Sequence, residues 1–210
     1  MTHVKVCGIT SVQDARMCAD LGASAIGLNF VAESPRRVDV ARAREIADAV
    51  RGRVLVVGVV ADEATERLRR LVADAGLECL QLHGDEPPEA LEPHLPHAYK
   101  AVRIAGPEDV AAARRYGGRY LLVDAKVAGI KGGSGRTFDW ALVRELATER
   151  RLTLAGGLGP DNVAEAVRAV RPFCVDVASG VESAPGVKDR AKVEAFVHAA
   201  RGALSDSPPA

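Results

Sequence analysis

Leu121-Leu122-Val123-Asp124-Ala125 is a short apolar run that ends on a carboxylate. It is followed by the glycine-studded stretch Lys126-Val-Ala-Gly-Ile-Lys-Gly-Gly-Ser-Gly-Arg-Thr137, and a helical pattern opens at Phe138-Asp139-Trp140. The order is strand, loop, helix. A carboxylate at the C-terminal end of a buried strand is held at the edge of the core. The loop behind it, with Gly129, Gly132, Gly133 and Gly135, can close over a bound molecule. A fixed acid under a mobile lid positions a proton donor and then excludes water. The other reading of the segment is an aspartate that caps a turn before an ordinary long loop.

The same unit recurs along the chain. Apolar runs stand at Val4-Lys-Val-Cys7, Ala25-Ile-Gly-Leu-Asn-Phe30, Val54-Leu-Val-Val-Gly-Val-Val60 and Cys79-Leu-Gln-Leu82. They continue at Tyr99-Lys-Ala-Val-Arg-Ile104, Tyr120-Leu-Leu-Val123, Leu152-Thr-Leu-Ala155 and Cys174-Val-Asp-Val177. Helix-period patterns fall near 11–22, 39–51, 62–75, 87–95, 107–116, 139–150, 161–171 and 188–203. Ser11, Asp62 and Asp161 are expected as capping residues, with Pro160 suiting a helix start. Parallel strands need crossover connections, so repeated strand–helix units imply an all-parallel sheet. The expected fold is α/β, a single (βα)8 TIM barrel over residues 1–204, with a disordered tail at 205–210. The rival is an open doubly wound sheet. Against it, no G-x-G-x-x-G follows the first strand and no strand reads as a polar edge.

The chain has 210 residues, 48% hydrophobic and 27% charged, which is enough to bury one full core. Its 28 basic and 28 acidic side chains cancel. Scattered charge without a basic stripe argues against nucleic-acid or membrane-surface binding. Cys7, Cys18, Cys79 and Cys174 lie far apart, without CxxC or Cys/His metal spacing, as expected in a reduced cytoplasm with no disulfide framework and no metal site. No signal-like N-terminus and no apolar stretch of membrane-spanning length is read, so a soluble cytoplasmic protein is expected.

In a barrel of this kind the site forms where strands end and the following loops begin. Lys5 and Cys7 share one face of the first strand. A thiol there is a nucleophile or general base if nearby positive charge lowers its pKa, and otherwise a buried structural cysteine. Arg36, in Glu33-Ser-Pro-Arg-Arg37, has a guanidinium fork that can clamp a carboxylate or phosphate; its alternative is a solvated surface position. His83, at the end of the fourth strand, either polarises a substrate or satisfies loop backbone. Leu154-Ala-Gly-Gly-Leu158 and Val177-Ala-Ser-Gly-Val181 put small residues at the last two strand ends, where this architecture often binds phosphate. A thiol and a carboxyl facing one phosphorylated substrate, with no cofactor recruited, suit proton shuttling in a sugar-phosphate isomerisation.

These residues resemble phosphoribosylanthranilate isomerase. The resemblance rests on Lys5-Val-Cys-Gly-Ile-Thr10, Ser34-Pro-Arg36, Leu80-Gln-Leu-His-Gly-Asp85 and Lys100-Ala-Val-Arg103. It extends through Val123-Asp-Ala-Lys126, Gly132-Gly-Ser-Gly-Arg-Thr-Phe-Asp-Trp140, Leu154-Ala-Gly-Gly157, Val175-Asp-Val-Ala-Ser-Gly-Val-Glu182 and Pro185-Gly-Val-Lys-Asp189. It implies an Amadori rearrangement in tryptophan biosynthesis, of N-(5-phosphoribosyl)anthranilate to 1-(2-carboxyphenylamino)-1-deoxyribulose 5-phosphate, without a cofactor. By the same resemblance Asp124 is the general acid and Cys7 the general base. Arg36 pairs with the anthranilate carboxylate, and Gly156, Gly157, Ser179 and Gly180 cradle the phosphate. Lys5 is expected to assist Cys7, and His83 to line the substrate site. Departures are Asn29 at a position often apolar, Ala178 for a serine, and Ser134 for a threonine.

Two alternatives stand beside it. A histidine-pathway or dual-substrate sugar-phosphate isomerase would use two aspartates, one where this chain has Cys7, and two phosphate sites. A non-catalytic phosphate-binding barrel would lack Cys7 or Asp124, yet both are present. The chain is expected as a monomer or homodimer.

Overall fold

The computed structural model describes residues 1–124 and 140–204. Eight parallel strands close into a barrel in sequence order: β1 His3–Cys7, β2 Ala25–Asn29, β3 Leu55–Val60, β4 Cys79–Leu82, β5 Ala98–Arg103, β6 Tyr120–Asp124, β7 Arg151–Ala155 and β8 Cys174–Val177. β8 pairs with β1, with Lys5 opposite Asp176, so the sheet has no edge. The connecting helices are α1 Val12–Asp20, α2 Val40–Ala49, α3 Thr65–Ala75, α4 Pro88–Leu91, α5 Pro107–Ala113, α6 Trp140–Glu149, α7 Val163–Val170 and α8 Arg190–Gly202.

Strand alternation sorts side chains between two cores. Ala25, Val57, Tyr99, Ala101, Leu122 and Ala155 gather inside the barrel. The alternate positions, such as Val4, Val6, Ile26, Leu28, Val123 and Leu152, join the layer between sheet and helices, where Phe196 of α8 is fully buried. Lys5, Gln81, Thr153 and Asp176 are polar exceptions, buried at inward positions.

All eight expected strands are present, with ends within one residue of the apolar runs. Two of the expected caps are corrected. Ser11 caps α1, its side chain accepting from Asp14 N at 3.1 Å. Asp62 does not cap α3, which starts at Thr65 after Ala64. It sits instead at φ 53°, and its carboxylate accepts from Asp85 N at 2.8 Å, tying the loops after β3 and β4 together. Asp161 gives way to Asn162 as the residue before α7. The fourth helical pattern breaks at Glu92-Pro-His94 into a 3-10 turn. A short hairpin, β9 Glu182–Ala184 with β10 Val187–Lys188, follows β8 and was not expected from the sequence. The glycine-rich segment read as a lid and the tail at 205–210 lie outside the described residues, as does Ser134.

Candidate active site

The inward-facing ends of the strands surround a cavity of about 240 Å³ at the C-terminal mouth of the barrel. Cys7, Arg36, His83, Asp124, Gly156, Gly157 and Ser179 all line it. Residues up to 172 positions apart in the chain thus share one wall-to-wall space, because each stands at or just beyond the end of its own strand. A larger cavity of about 720 Å³ adjoins it and shares Asn29, Val59 and His83.

Cys7 ends β1 opposite Gly27 of β2. Burial pushes its thiol above the ordinary value, Lys5 pulls the other way, and Asp176 adds to the rise. Lys5 itself lies beneath the cavity, 2% exposed. It donates to Asp176 Oδ2 at 2.9 Å and Gln81 Oε1 at 3.0 Å. Burial, the largest influence, disfavours the ammonium, but the Asp176 carboxylate together with Cys7 and Tyr99 outweighs that cost, and the Lys5 pKa stands well above its usual value. Lys5 is therefore placed as a support below Cys7 and not as a wall of the cavity.

His83 is fixed through Gln81. Gln81 Oε1 accepts from Lys5 and from the Tyr99 hydroxyl at 3.1 Å, so its Nε2 donates to His83 Nδ1 at 2.8 Å. That assignment puts the imidazole proton on Nε2. Burial lowers the His83 pKa, with Asp124 and Asp176 opposing, and the ring is a neutral donor at the mouth. Asp124 ends β6 between Arg103 of β5 and Ala155 of β7.

Arg36 reaches the cavity but is already engaged. Its Nε and Nη2 donate to Glu182 Oε1 and Oε2 at 2.8 and 2.6 Å. On the far side, Gly156 and Gly157 take φ values of 102° and 70°, a conformation that opens the strand end and is costly for other residues. Gly180 stands behind this wall. A Cβ there would lie 2.1 Å from the Leu158 carbonyl oxygen, so its role is to let the last two loops touch. Ser179 begins the 3-10 turn Ser179–Val181, and Ala178 lines the cavity beside it. Asn29 turns its Oδ1 to accept from Val31 N at 2.8 Å, which uses the polar atom locally.

Gln81, Asp176, Glu182 and Lys188 were not singled out from the sequence. A charged residue at an inward position of an otherwise apolar strand, as in Cys174-Val-Asp-Val177, was the available signal for Asp176. The other cysteines behave as core hydrophobes: burial pushes Cys18 and Cys174 up to about 12 and Cys79 to about 11. Among the described residues no cluster of His, Cys, Asp or Glu could hold a metal ion.

Comparison with known proteins agrees over nearly the whole chain. The family model for N-(5'-phosphoribosyl)anthranilate isomerase matches residues 4–199. The protein of that name from Myxococcus xanthus is 49% identical over 204 residues, covering 95% of this chain and 96% of the relative. The crystal structure of phosphoribosyl anthranilate isomerase from Thermotoga maritima superposes with a TM-score of 0.86 at 38% identity, covering 96% of this chain and 100% of that one. A phosphoribosyl anthranilate isomerase structure in complex with reduced 1-(o-carboxyphenylamino)-1-deoxyribulose 5-phosphate gives 0.85 at 36% identity, with the same coverage.

Proposed function

The chain belongs to the N-(5'-phosphoribosyl)anthranilate isomerase family, and on that premise we propose that Cys7 and Asp124 carry its proton transfers. It is an isomerase, converting N-(5-phosphoribosyl)anthranilate to 1-(2-carboxyphenylamino)-1-deoxyribulose 5-phosphate. The observation that carries the assignment is the single cavity shared by a thiol, a carboxyl, a guanidinium and a glycine-lined edge.

Asp124 donates a proton to the ribose ring oxygen. The C1′–O bond breaks, and the nitrogen lone pair forms the C1′=N iminium. Cys7, as thiolate, removes the proton from C2′; that electron pair becomes the C1′=C2′ bond and neutralises the iminium. The resulting enolamine gains a proton at C1′ and loses one from the 2′-hydroxyl, giving the ketone. Burial holds the Cys7 thiol up before substrate arrives. An iminium cation beside it favours the thiolate, so the charge made in the first step prepares the base for the second.

The phosphate is assigned to the backbone of Gly156, Gly157 and Ser179, which line the cavity with little or no side chain to keep its oxygens from the N–H groups. The aryl carboxylate then falls to Arg36 across the mouth, and the His83 Nε2–H is available to a sugar oxygen. The enzyme acts in the cytoplasm as a monomer or homodimer. In support, its four cysteines are unpaired, and no helix among the described residues is long and apolar enough to cross a membrane.

The test is the decay of anthranilate-type fluorescence on N-(5-phosphoribosyl)anthranilate. Decay that scales with protein concentration is expected. Decay no faster than spontaneous breakdown, with a folded protein, would overturn the function.

A further inference from the structure

Arg36 presents a difficulty for the reading above, on which this inference rests. A guanidinium that already holds a bidentate carboxylate at 2.8 and 2.6 Å forms a neutral pair, and a neutral pair has little charge to offer an incoming anion. The hairpin after β8 removes the difficulty. Lys188 Nζ donates to Glu182 Oε1 at 2.7 Å, and its side chain is 0% exposed. The same oxygen also accepts from Gly186 N at 3.2 Å.

We propose that Lys188 is the residue that makes Arg36 an anion receptor: by neutralising Glu182 from behind, it leaves the Arg36–Glu182–Lys188 triad with one surplus positive charge at the cavity wall, aimed at the substrate's aryl carboxylate.

Glu182 is the fixed centre of this device. It spends both oxygens on holding the Nε–Nη2 edge of Arg36, which sets the plane of the guanidinium and leaves Nη1 for the substrate. The Arg36 stem is held from the other side: a Cβ on Gly8 would lie 2.4 Å from Arg36 Cδ, so the arginine lies against the backbone just after Cys7. Lys188 cannot itself meet the substrate carboxylate, because its side chain is fully buried and its ammonium donates also to the Ala178 carbonyl at 3.2 Å, while its backbone N donates to Asp14 Oδ2 at 3.1 Å. Its contribution is charge delivered through Glu182. The hydrogen bond to Ala178 also ties the triad to the loop proposed to hold the phosphate. The two residues that set the charge and plane of Arg36 and one part of the phosphate-side wall thus lie on one short segment, residues 178–188. Lys188 is a positioning and charge-setting residue for specificity, not a catalytic one.

Removing one unit charge about 8–10 Å from the bound carboxylate, at the screening typical of a partly buried site, weakens binding roughly 10- to 30-fold. The experiment measures, by isothermal titration, binding of 1-(2-carboxyphenylamino)-1-deoxyribulose 5-phosphate and of its phenylamino counterpart lacking the carboxylate. The proteins are wild type, Arg36→Met, Lys188→Met and the double variant Lys188→Met/Glu182→Gln, each checked by thermal melting. Lys188→Met is expected to lose roughly 10- to 30-fold for the carboxylated ligand and less than about threefold for the other. The double variant restores the surplus charge and is expected to recover most of that loss. It also buries no unpaired carboxylate, so it carries the test if Lys188→Met fails to fold. Equal weakening of both ligands by Lys188→Met, or no selectivity for the carboxylate in the double variant, would reduce Lys188 to a structural residue and overturn the proposal. If Arg36→Met weakens both ligands alike, the carboxylate reading of Arg36 fails first, and this inference falls with it.

Discussion

Substituting Gly27 by alanine tests how tightly the base is placed. Gly27 lies in β2, paired with Cys7 across the sheet, and its carbonyl accepts from Gly8 N at 2.9 Å and Ile9 N at 3.0 Å. A Cβ there would stand 2.7 Å from Cys7 Sγ, 3.1 Å from Cys7 Cα and 3.2 Å from Lys5 Nζ. Comfortable separations between such atoms are about 3.5–4.0 Å, so the sulfur is too close by about 1 Å. Neither backbone can give way easily, because both strands are locked in the ladder and the Gly27 carbonyl holds the turn after Cys7. The thiol must therefore move. Overpacking of this kind costs about 1–3 kcal/mol of stability, a fall of several degrees in Tm for a chain of this length. Displacement of a reacting group by about 1 Å costs on the order of 100-fold in rate. Steady-state fluorescence kinetics on N-(5-phosphoribosyl)anthranilate, beside a thermal melt, read both effects. The expected variant is folded, with kcat down on the order of 100-fold and KM within a few-fold of wild type. A folded Gly27→Ala enzyme within threefold of wild-type kcat/KM would refute the claim that the position of this thiol limits catalysis.

Three further outcomes follow from the charges and the core. Glu182 is 5% exposed at its side chain, and although burial works to raise it, the hydrogen bonds from Arg36 and Lys188 hold it at about 2. Its folded pKa is below its unfolded value of about 4.3, so its contribution of about 3 kcal/mol is complete above that value and is lost as pH falls toward 2. Glu182→Gln should flatten the denaturation profile in that window, and an unchanged acid slope would contradict the ion-pair account. Lys5→Met leaves Asp176 buried without its partner and removes the larger of the two charges, Lys5 and Lys188, that lower the Cys7 pKa. It should destabilise the protein by about 3–5 kcal/mol and move the midpoint of Cys7 alkylation to higher pH, whereas an unshifted midpoint would remove Lys5 from the site. Phe196→Ala, from a fully buried position between α8 and the barrel, should cost about 3–5 kcal/mol in urea denaturation with kcat unchanged in the folded fraction; a cost under 1 kcal/mol would show that the helix layer collapses to fill the space.

The fold was legible because its evidence is local. Each apolar run and each helix-period pattern is a property of about ten neighbouring residues, and repetition of the strand–helix order left little choice of topology. Strand ends then told where Cys7, His83, Asp124 and the two small-residue turns would meet. The caps at Asp62 and Asp161 failed for a physical reason: aspartate suits turns as well as caps, and the pull on Asp62 comes from Asp85, 23 residues away. The Lys5–Asp176 and Arg36–Glu182 pairs join residues 171 and 146 positions apart, and no local pattern announces them. Arg36 illustrates the limit best. That Arg36 has a fork able to clamp an anion was readable, but not that the Glu182 carboxylate already holds it, nor that the buried Lys188 is paired with that carboxylate.

The central claim is that Cys7 and Asp124 divide the proton transfers between them. Single-turnover fluorescence decay with Cys7→Ala and with Asp124→Asn, each shown by melting to be folded, tests it most directly. The account predicts that each variant alone loses at least about 100-fold, the usual scale for one acid or base. A folded variant of either residue that retains decay within tenfold of wild type would contradict its assigned role.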